Sequence, residues 1–343
     1  MRWFVVIPGS LVPAPLASDI LGAAQAGQLA AWLVRAGRAP DEAVRDAPIN
    51  ATHLTWLWRA FCGGSTVPVT APYAWRALNH ASAVLPDDGS QWWHCDPIHV
   101  EVARDHLLVG RSQDALLTEA EADALATEAD AVLREHDALL KRMRHDAWFV
   151  QIGTPWQLDT APLITARGQS MGPCLPRGAD AARWRRILTE IQMRWHRHAV
   201  NLAREQRGQA PVNGVWLHGG GAWAPLPRSP FVAIASDDAV LRGWGLAAGL
   251  PPTALIGEAD VPPRHGDVVS LWPELLEPAA FESWAVWLER LAAVQARLDR
   301  LRQHAFASGI ESIELVLTGR QATRVFSLGR RDHLRFWRGV ARR

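Results

Sequence analysis

Short apolar runs alternate with longer helical patterns along this 343-residue chain, most densely after residue 180. The runs have the content of buried strands, and glycines and prolines separate them from the helical segments. Strands that alternate with helices usually form a mostly parallel sheet with helices packed on both faces. The sequence therefore predicts a layered α/β/α protein.

The individual elements follow from the same patterns. We expect strands at Trp3–Ile7, Trp148–Ile152, Trp156–Leu158, Val212–Leu217, Phe231–Ala235, Val268–Trp272 and Ile313–Leu317. We expect helices at Leu16–Ala36, Thr118–Leu140, Ala181–Arg207, Ala239–Ala248 and Pro278–Ala307. The predicted organisation is an N-terminal part of the core (1–90), a smaller inserted α+β region (91–178) and a C-terminal part of the core that carries a glycine-rich loop (179–343).

Charge and composition narrow the class of protein. Lysine and arginine number 36 against 35 acidic residues, so the net charge is +1 and a general polyanion-binding protein is not expected. No apolar run reaches the roughly 18 residues that cross a bilayer. Three cysteines without a Cys-x-x-Cys pair are typical of a reducing compartment. We expect a cytoplasmic protein without membrane contact, and we interpret the arginines at 330–343 as a solvated terminal helix rather than a nucleic-acid site.

One predicted helix carries a dense group of polar side chains. Glu190, His198, Asn201 and Glu205 fall on neighbouring turns, so they could face the carboxyl edge of the sheet. A solvated helix face is the simpler interpretation of a charged helix. The residues alone leave both interpretations open.

Three consecutive glycines, Gly219, Gly220 and Gly221, follow His218 at the end of a predicted strand. A glycine loop lets backbone amides approach a ligand such as a phosphate, because no side chain blocks them. The spacing fits neither a dinucleotide fingerprint nor a P-loop, so the signal for phosphate is weak.

Metal-competent side chains occur at His94, Asp96 and His99, with Asp105 shortly after. Alternate residues of a strand point to opposite faces, so His94 and His99 would point apart unless Pro97 bends the chain. Polar residues at strand edges and turns are the simpler interpretation, and a metal site is the alternative. No Gly-x-Ser-x-Gly or His-Glu-x-x-His motif occurs.

A longer stretch contains His198-Ala-Val-Asn201-Leu-Ala-Arg204, then Asn213-Gly-Val-Trp216 and the three glycines, then Asp238 and Arg242-Gly243-Trp244-Gly245. It resembles the archaeal-type cofactor-independent phosphoglycerate mutases, which have His-Pro-Val-Asn-x-x-Arg, Asn-x-x-Trp with a glycine-rich turn, and Asp with Lys-Gly-x-Gly. A wider set of residues resembles bacterial regulatory proteins of the RpfE type. That set includes Asp96-Pro97-Ile98-His99, Glu190-x-Gln192-Met193 and Arg331-Asp332-x-x-Arg335.

The resemblance implies an alkaline-phosphatase-like sheet. In the mutases, two divalent metals held by Asp and His side chains activate a serine or threonine for phosphoryl transfer. Their first strand ends in Asp-Gly, where this chain has Pro8-Gly9, and their Asp-His pair falls near Thr318-Gly319. Their Asp-Glu-x-Gly-His falls on Glu277–Phe281. The resemblance therefore implies that the two-metal site is missing.

These observations together predict a degenerate mutase-like protein with no catalytic residue, metal or cofactor, acting as a regulatory or anion-sensing module. We expect a small phosphorylated or carboxylate ligand, or a protein partner. The expected ligand-binding residues are Glu190, Gln192, His198, Asn201, Arg204, Glu205, Asn213, His218, Gly219, Gly220, Gly221, Asp238 and Arg242. The alternative is a metal-dependent phosphoryl-transfer enzyme, of mutase or phosphatase type, with ligands relocated to residues such as His94, Asp96, His99, Asp105 and Asp238, and with Ser65, Thr66 or Thr70 as nucleophile.

Overall fold

The chain folds into two compact units in a computed structural model that describes residues 1–23, 37–38, 42–43, 47–63, 68–79, 89–104, 106–257, 260, 263 and 265–330. The first unit combines residues 1–67 with 226–343, and the second is the continuous segment 68–225. The second unit is thus an insertion in the sequence of the first.

A mostly parallel sheet forms the first unit. Its central strand β1 (Arg2–Ile7) pairs in parallel with the strands Asp267–Leu271 on one side and Ser312–Thr318 on the other. Two more parallel strands, Phe231–Ala235 and Leu255–Ile256, extend one side. The other side ends in antiparallel strands: Ala322–Gly329 with the short pieces Gly37–Arg38 and Glu42–Ala43.

Helices cover both faces of this sheet because both faces of β1 are apolar. Trp3 and Ile7 belong to a buried cluster with Trp287 of the long helix Trp284–Ala307. On the opposite face Phe4 packs its ring against Trp56 of the helix Thr52–Cys62. The remaining helices of this unit are Ala14–Ala23, Ala239–Ala247 and Leu276–Ala280. The predicted layered α/β architecture is confirmed.

The second unit is an α+β structure around a four-stranded antiparallel sheet. In chain order its strands are β4 (Gln91–Ile98), β7 (Ala138–Arg144), β8 (Ala147–Ile152) and β9 (Gly214–Ala222), and they lie side by side as β7-β8-β4-β9. A separate hairpin joins β5 (Val100–Val102) to β6 (Leu107–Val109). Its helices are Ala71–Leu78, Glu119–Arg134, Leu163–Ala166, Ala181–His196 and Ala199–Gln206.

The inserted unit is larger than the sequence predicts. Its compact segment runs from 68 to 225 rather than from 91 to 178, because β9 pairs with β4 along most of its length. The glycine-rich strand therefore belongs to the antiparallel sheet of the insertion. The sequence pattern instead assigns this strand to the C-terminal part of the core.

Several element boundaries differ for local reasons. The helix that begins at Glu119 ends at Arg134 rather than Leu140, because Leu140 joins β7 and donates its N–H to Asp130. The predicted helix Ala181–Arg207 is broken after His196, and His198 accepts a hydrogen bond from Val200 N at the start of a second helix.

Two further predictions concern the strands and the first helix. Residues 156–158 form no named strand, and β8 pairs with β7 instead. The predicted helix Leu16–Ala36 is present over Ala14–Ala23, and residues 24–36 lie outside the described part of the chain. Within the described residues, no helix has both the length and the apolar character of a membrane span.

Candidate functional site

Two neighbouring strands of the second unit bring His94, Asp96 and His218 together. His94 on β4 lies opposite His218 on β9, and Asp96 follows two residues later on the same face of β4. Nε2 of His218 donates a hydrogen bond to Oδ2 of Asp96 at 2.8 Å. The imidazole rings of His94 and His218 stack with 4.7 Å between their centres and 14° between their planes. One potential ligand atom from each residue lies within 4.8 Å of the other two.

Aromatic side chains support this cluster from within the same unit. The Phe149 ring lies 5.0 Å from the His94 ring, and Trp75 packs edge-on against Phe149 while it stacks on Trp92. Asp96 and His218 keep 22% and 15% of their side-chain surface exposed. The cluster therefore has an apolar support on one side and solvent access at the carboxylate and one imidazole.

The protonation states suit a ligand set. Burial lowers the pKa of His94 to about 3, with the nearby His218 adding to the effect, so this imidazole is neutral at pH 7. Burial alone would raise the pKa of Asp96, but the hydrogen bond from His218, together with the electrostatic influence of His218, His94 and Arg167, outweighs it and lowers the pKa. Neutral imidazoles and ionised carboxylates are the forms that bind metals.

The neighbouring thiol does not join the cluster. Cys95 lies between His94 and Asp96 in sequence, so its side chain points to the other face of β4. There it is fully buried in the apolar core with Trp93, and burial raises the pKa of the thiol.

The three glycines serve packing. Between Trp92 and His94 the pairing of β4 with β9 shifts by one residue, and within this bulge Gly219 has a positive φ of 63°. A Cβ at Gly219 would overlap the Thr70 hydroxyl, and one at Gly220 would overlap the Trp93 ring. The carbonyl of Gly219 also accepts the Thr70 N–H at 3.0 Å. The glycines thus lie within a paired strand and not in an open phosphate-binding loop.

Asn201 uses its side chain for hydrogen bonds to the main chain of the second unit. Its side chain is 1% exposed; Nδ2 donates to the carbonyls of Trp195 and Val212, and Oδ1 accepts from Val212 N. Asn213 forms the same two-way pair with the backbone of Val100. Both amide side chains have their hydrogen-bonding capacity largely committed to the main chain.

Arg204 is likewise bound to the main chain. Its guanidinium is 3% exposed and donates to three carbonyl oxygens, those of Ala210, Leu116 and Asp114. Glu121 lies 3.4 Å from Nη1 and compensates the charge. Arg204, which the sequence predicts to bind an anion, thus links main-chain segments inside the second unit instead.

The other predicted ligand-binding residues are dispersed. Glu190 pairs with Arg194 one turn along its helix, His198 caps a helix, and Glu205 is exposed. Gln192 lies near Gly214, its Nε2 3.5 Å from where a Cβ would stand. Asp238 and Arg242 belong to the first unit.

At the carboxyl end of the strand Phe231–Ala235, Asp238 accepts a hydrogen bond from Leu241 N and caps the next helix. Burial raises the pKa of Asp238 despite its backbone hydrogen bonds. Nη1 of Arg242 donates to Asp237 and to the carbonyl of Ser236.

The relocated ligand set proposed as an alternative is only partly assembled. His94 and Asp96 meet, but the ring of His99 donates from Nδ1 to the Pro211 carbonyl at 2.7 Å. Asp238 belongs to the other unit. Asp105, Ser65, Thr66 and the arginines from 331 onwards lie outside the described residues. Thr70 is buried, and its hydroxyl lies 3.4 Å from the Gly219 carbonyl.

The carboxyl edge of the parallel sheet does not fit a two-metal group. β1 runs into Pro8 and Gly9, and the strand Ser312–Thr318 ends before Gly319. Among the described residues, the metal-competent side chains that cluster in a group of three or more are His94, Asp96 and His218, and they belong to the other unit. The described part of this edge therefore lacks the carboxylate and imidazole set that two divalent ions need.

Sequence patterns pointed to His94 and Asp96 but did not connect them with His218. The missing information was the pairing of β4 with β9, which places residues 94 and 218 opposite each other. Two signals in the sequence could have shown the cluster. The two-residue period of a strand puts residues 94 and 96 on one face, and extending the predicted strand Val212–Leu217 by one residue includes His218.

Comparison with known proteins shows a distant similarity to cofactor-independent phosphoglycerate mutases. No family model matches the chain. A stretch of 100 residues is 28% identical to the 2,3-bisphosphoglycerate-independent phosphoglycerate mutase of Methanosarcina mazei. That stretch is 27% of this chain and spans about a quarter, 25%, of the mutase.

Two solved structures are similar over 96% of the chain. One is the PH0037 protein from Pyrococcus horikoshii, with a TM-score of 0.48 and 12% identity over 87% of that chain. The other is the cofactor-independent phosphoglycerate mutase from Thermoplasma acidophilum, with a TM-score of 0.38 and 15% identity over 89% of that chain.

Proposed function

We propose that this chain is a mutase-like protein of alkaline-phosphatase-like ancestry that does not perform two-metal phosphoryl transfer and works instead as a cytoplasmic binding module. In that role it senses a small anion or contacts a regulatory partner, as expected for an RpfE-type protein. The observation that carries the proposal is the packing at the carboxyl end of β1.

That end of the sheet is closed by the protein itself. Gly9 has a φ of 72°, and a Cβ there would stand 2.5 Å from the Leu275 carbonyl oxygen. Trp287 donates from its indole to the Gly9 carbonyl at 2.8 Å, and Leu11 N donates to Thr318 O at 3.2 Å. These contacts join the ends of the central strands to each other and to a helix.

The remaining space is too small for a substrate. A cavity lined by Gly9, Asn50, Trp284 and Gly319, among others, measures about 10 Å³, which is roughly the room that one water molecule needs. Pro8, where the mutases have their aspartate, is buried and offers no ligand atom. A phosphorylated three-carbon acid with two metal ions is far larger than this cavity.

A direct assay tests the catalytic half of the proposal. The full chain is incubated with 3-phosphoglycerate and Mn²⁺, Mg²⁺ or Zn²⁺ in turn, and formation of 2-phosphoglycerate is followed; the Methanosarcina mazei mutase is the positive control. We expect no product above the protein-free rate. Turnover that a chelator abolishes and Mn²⁺ restores would overturn the proposal.

The binding half is tested by thermal stability in the presence of anions. Arg242 is the predicted ligand-binding cation whose partners are an exposed carboxylate and a single carbonyl, so we assign it the anion contact. 3-Phosphoglycerate or inorganic phosphate at 100 times its Kd should stabilise the first unit by about 2.7 kcal/mol. Arg242→Gln should lose this gain, and Arg300→Gln, on an exposed helix position, should keep it. The absence of any gain in the wild-type protein would refute the anion-sensing role.

A second candidate function is metal-dependent phosphoryl transfer with relocated ligands. The grouping of His94, Asp96 and His218 favours it, because two imidazoles and a carboxylate can hold a Lewis-acid ion. Phosphatase activity on p-nitrophenyl phosphate that requires added Zn²⁺ and disappears in His218→Gln would support this candidate. Equal background rates in the wild-type protein and the variant would reject it.

A further inference from the structure

We propose that His94, Asp96 and His218 form a mononuclear site for a transition metal of the zinc class in the second unit. The site is distinct from the two-metal centre of the mutases, whose counterpart edge lies in the first unit. It does not depend on the proposed binding function, since an ion here can be structural or regulatory in a chain without turnover.

The ligand distances are close to those of a tetrahedral site. Zinc–nitrogen and zinc–oxygen bonds of about 2.0–2.1 Å place the ligand atoms about 3.3 Å apart. Nε2 of His218 and Oδ2 of Asp96 are 2.8 Å apart, and all three ligand atoms lie within 4.8 Å of one another. In a metal-bound site, the 2.8 Å between His218 and Asp96 would widen and the separations of up to 4.8 Å would shorten toward about 3.3 Å. Both changes require side-chain movements on the order of 1 Å, which rotation about χ1 and χ2 can supply.

Rigid elements hold the three side chains. His94 and Asp96 stand on one face of β4, and His218 projects from the paired strand β9. Because the planes of the two imidazoles lie only 14° apart, the partly exposed His218 ring has to turn before both rings can direct a nitrogen at one ion. Phe149 packs against His94 and limits its rotation. Sites supported by strands in this way keep their ligands in place without the metal.

The donor set selects the kind of ion. Two imidazole nitrogens and one carboxylate suit zinc and the related transition metals, whereas Mg²⁺ and Ca²⁺ prefer oxygen ligands throughout. The partial exposure of Asp96 and His218, 22% and 15%, leaves a fourth position for water. The buried thiol of Cys95 points away, so the site contains no sulfur ligand.

One nearby charge opposes a cation. Arg167 is close enough to influence the Asp96 carboxylate, and its positive charge repels a divalent ion while the single carboxylate attracts it. We therefore expect a site of moderate affinity that holds one ion per chain.

Metal titration of the full chain tests the site. The protein is stripped with a chelator, and Zn²⁺ binding is measured by competition with a chromogenic chelator. We expect about one Zn²⁺ per chain, with affinity reduced at least about 100-fold in Asp96→Asn and in His218→Gln, because each removes a direct ligand. His145→Gln is the matched control: it removes a partly exposed histidine that also pairs with a carboxylate, that of Glu119, and that belongs to no cluster of three metal-competent side chains among the described residues. We expect this control to bind as the wild type does.

Cobalt substitution gives a second readout, which is taken first on the wild-type protein and so does not rest on the variants alone. Co²⁺ bound to the wild-type protein should show visible ligand-field absorption without the intense near-ultraviolet band of a sulfur ligand. Saturation of this signal at one Co²⁺ per chain, together with its loss in His218→Gln, is the expected result. No retained metal in the wild-type protein, equal affinity in all four proteins, or a sulfur band would each overturn the proposal.

Discussion

His53 should make the unfolding free energy of the first unit fall as the pH drops from 7 to 5. The side chain lies in the helix Thr52–Cys62 and is 5% exposed. Its Nδ1 has no hydrogen-bond partner among the described residues. Burial lowers the pKa of His53 to about 4, whereas a histidine in an unfolded chain titrates near 6.5. Between these two pH values, His53 is protonated in the unfolded chain and neutral in the folded unit.

Proton linkage gives the size of the effect. Because the folded pKa is depressed, the stabilisation is complete above pH 6.5 and is lost as the pH falls toward 4. The two pKa values correspond to a loss of about 2 kcal/mol between pH 7 and pH 5 and to a limit of about 3 kcal/mol at lower pH. A loss of this size is a large fraction of the stability of an ordinary domain.

Substitution of His53 by glutamine removes the titrating group. Urea unfolding is followed at pH 7 and pH 5 by hydrogen exchange of peptides from β1 and from Ser312–Thr318, so that the signal comes from the first unit. We expect His53→Gln to lose about 2 kcal/mol less than the wild type over this pH step. His265→Gln, at an exposed position of the same unit, should behave as the wild type. Equal losses in all three proteins would refute this account of His53.

Four further substitutions, one of them a control, test packing and charge. Gly9→Ala should destabilise the first unit by more than about 2 kcal/mol, because a Cβ would stand 2.5 Å from a backbone oxygen; Gly63→Ala, with positive φ but open space, should cost only about 1 kcal/mol, and urea unfolding compares the two. Arg204→Met should cost about 3–5 kcal/mol in the second unit, because it leaves three buried carbonyls without their donor and Glu121 with Arg207 as its remaining cation; intact thermal stability would contradict this. Asp267→Asn should cost about 1 kcal/mol at pH 7, and the difference should shrink as the pH falls below about 3.9, the ordinary pKa of an aspartate. Burial alone would raise the pKa of Asp267, but its bonds from Arg2 outweigh burial and lower the pKa, so this stabilisation is present at neutral pH and lost in acid, as pH-dependent denaturation would show.

The layered sheet of the first unit could be predicted because its signals are local. Trp3–Ile7 and Ile313–Leu317 are apolar runs that stay buried on both faces, and the structure has strands at Arg2–Ile7 and Ser312–Thr318. Helix ends were harder to predict. Leu139 and Leu140 continue an apolar stripe in sequence, but pairing with β8 draws them into a strand. Tertiary pairing decided there against helical periodicity.

The candidate site was less predictable because residue type does not reveal the partner. Asn201 and Arg204 are of residue types that can bind an anion. The same side chains can donate hydrogen bonds to buried carbonyls equally well, and in the structure they do so. Three glycines next to a strand have the composition of a phosphate loop, yet Thr70 and Trp93 occupy the space beside Gly219 and Gly220. Only the packed structure distinguishes these uses.

The central position of β1 has a consequence for how the chain is made. β1 is synthesised before the other strands of its sheet, and one of its two sheet neighbours, the strand Ser312–Thr318, follows only after the whole segment 68–225. The segment 68–225 contains its own sheet and core and is complete much earlier. Domains generally fold as units during synthesis. The insertion can therefore fold on the ribosome before Ser312–Thr318 emerges, and until then β1 lacks this neighbour.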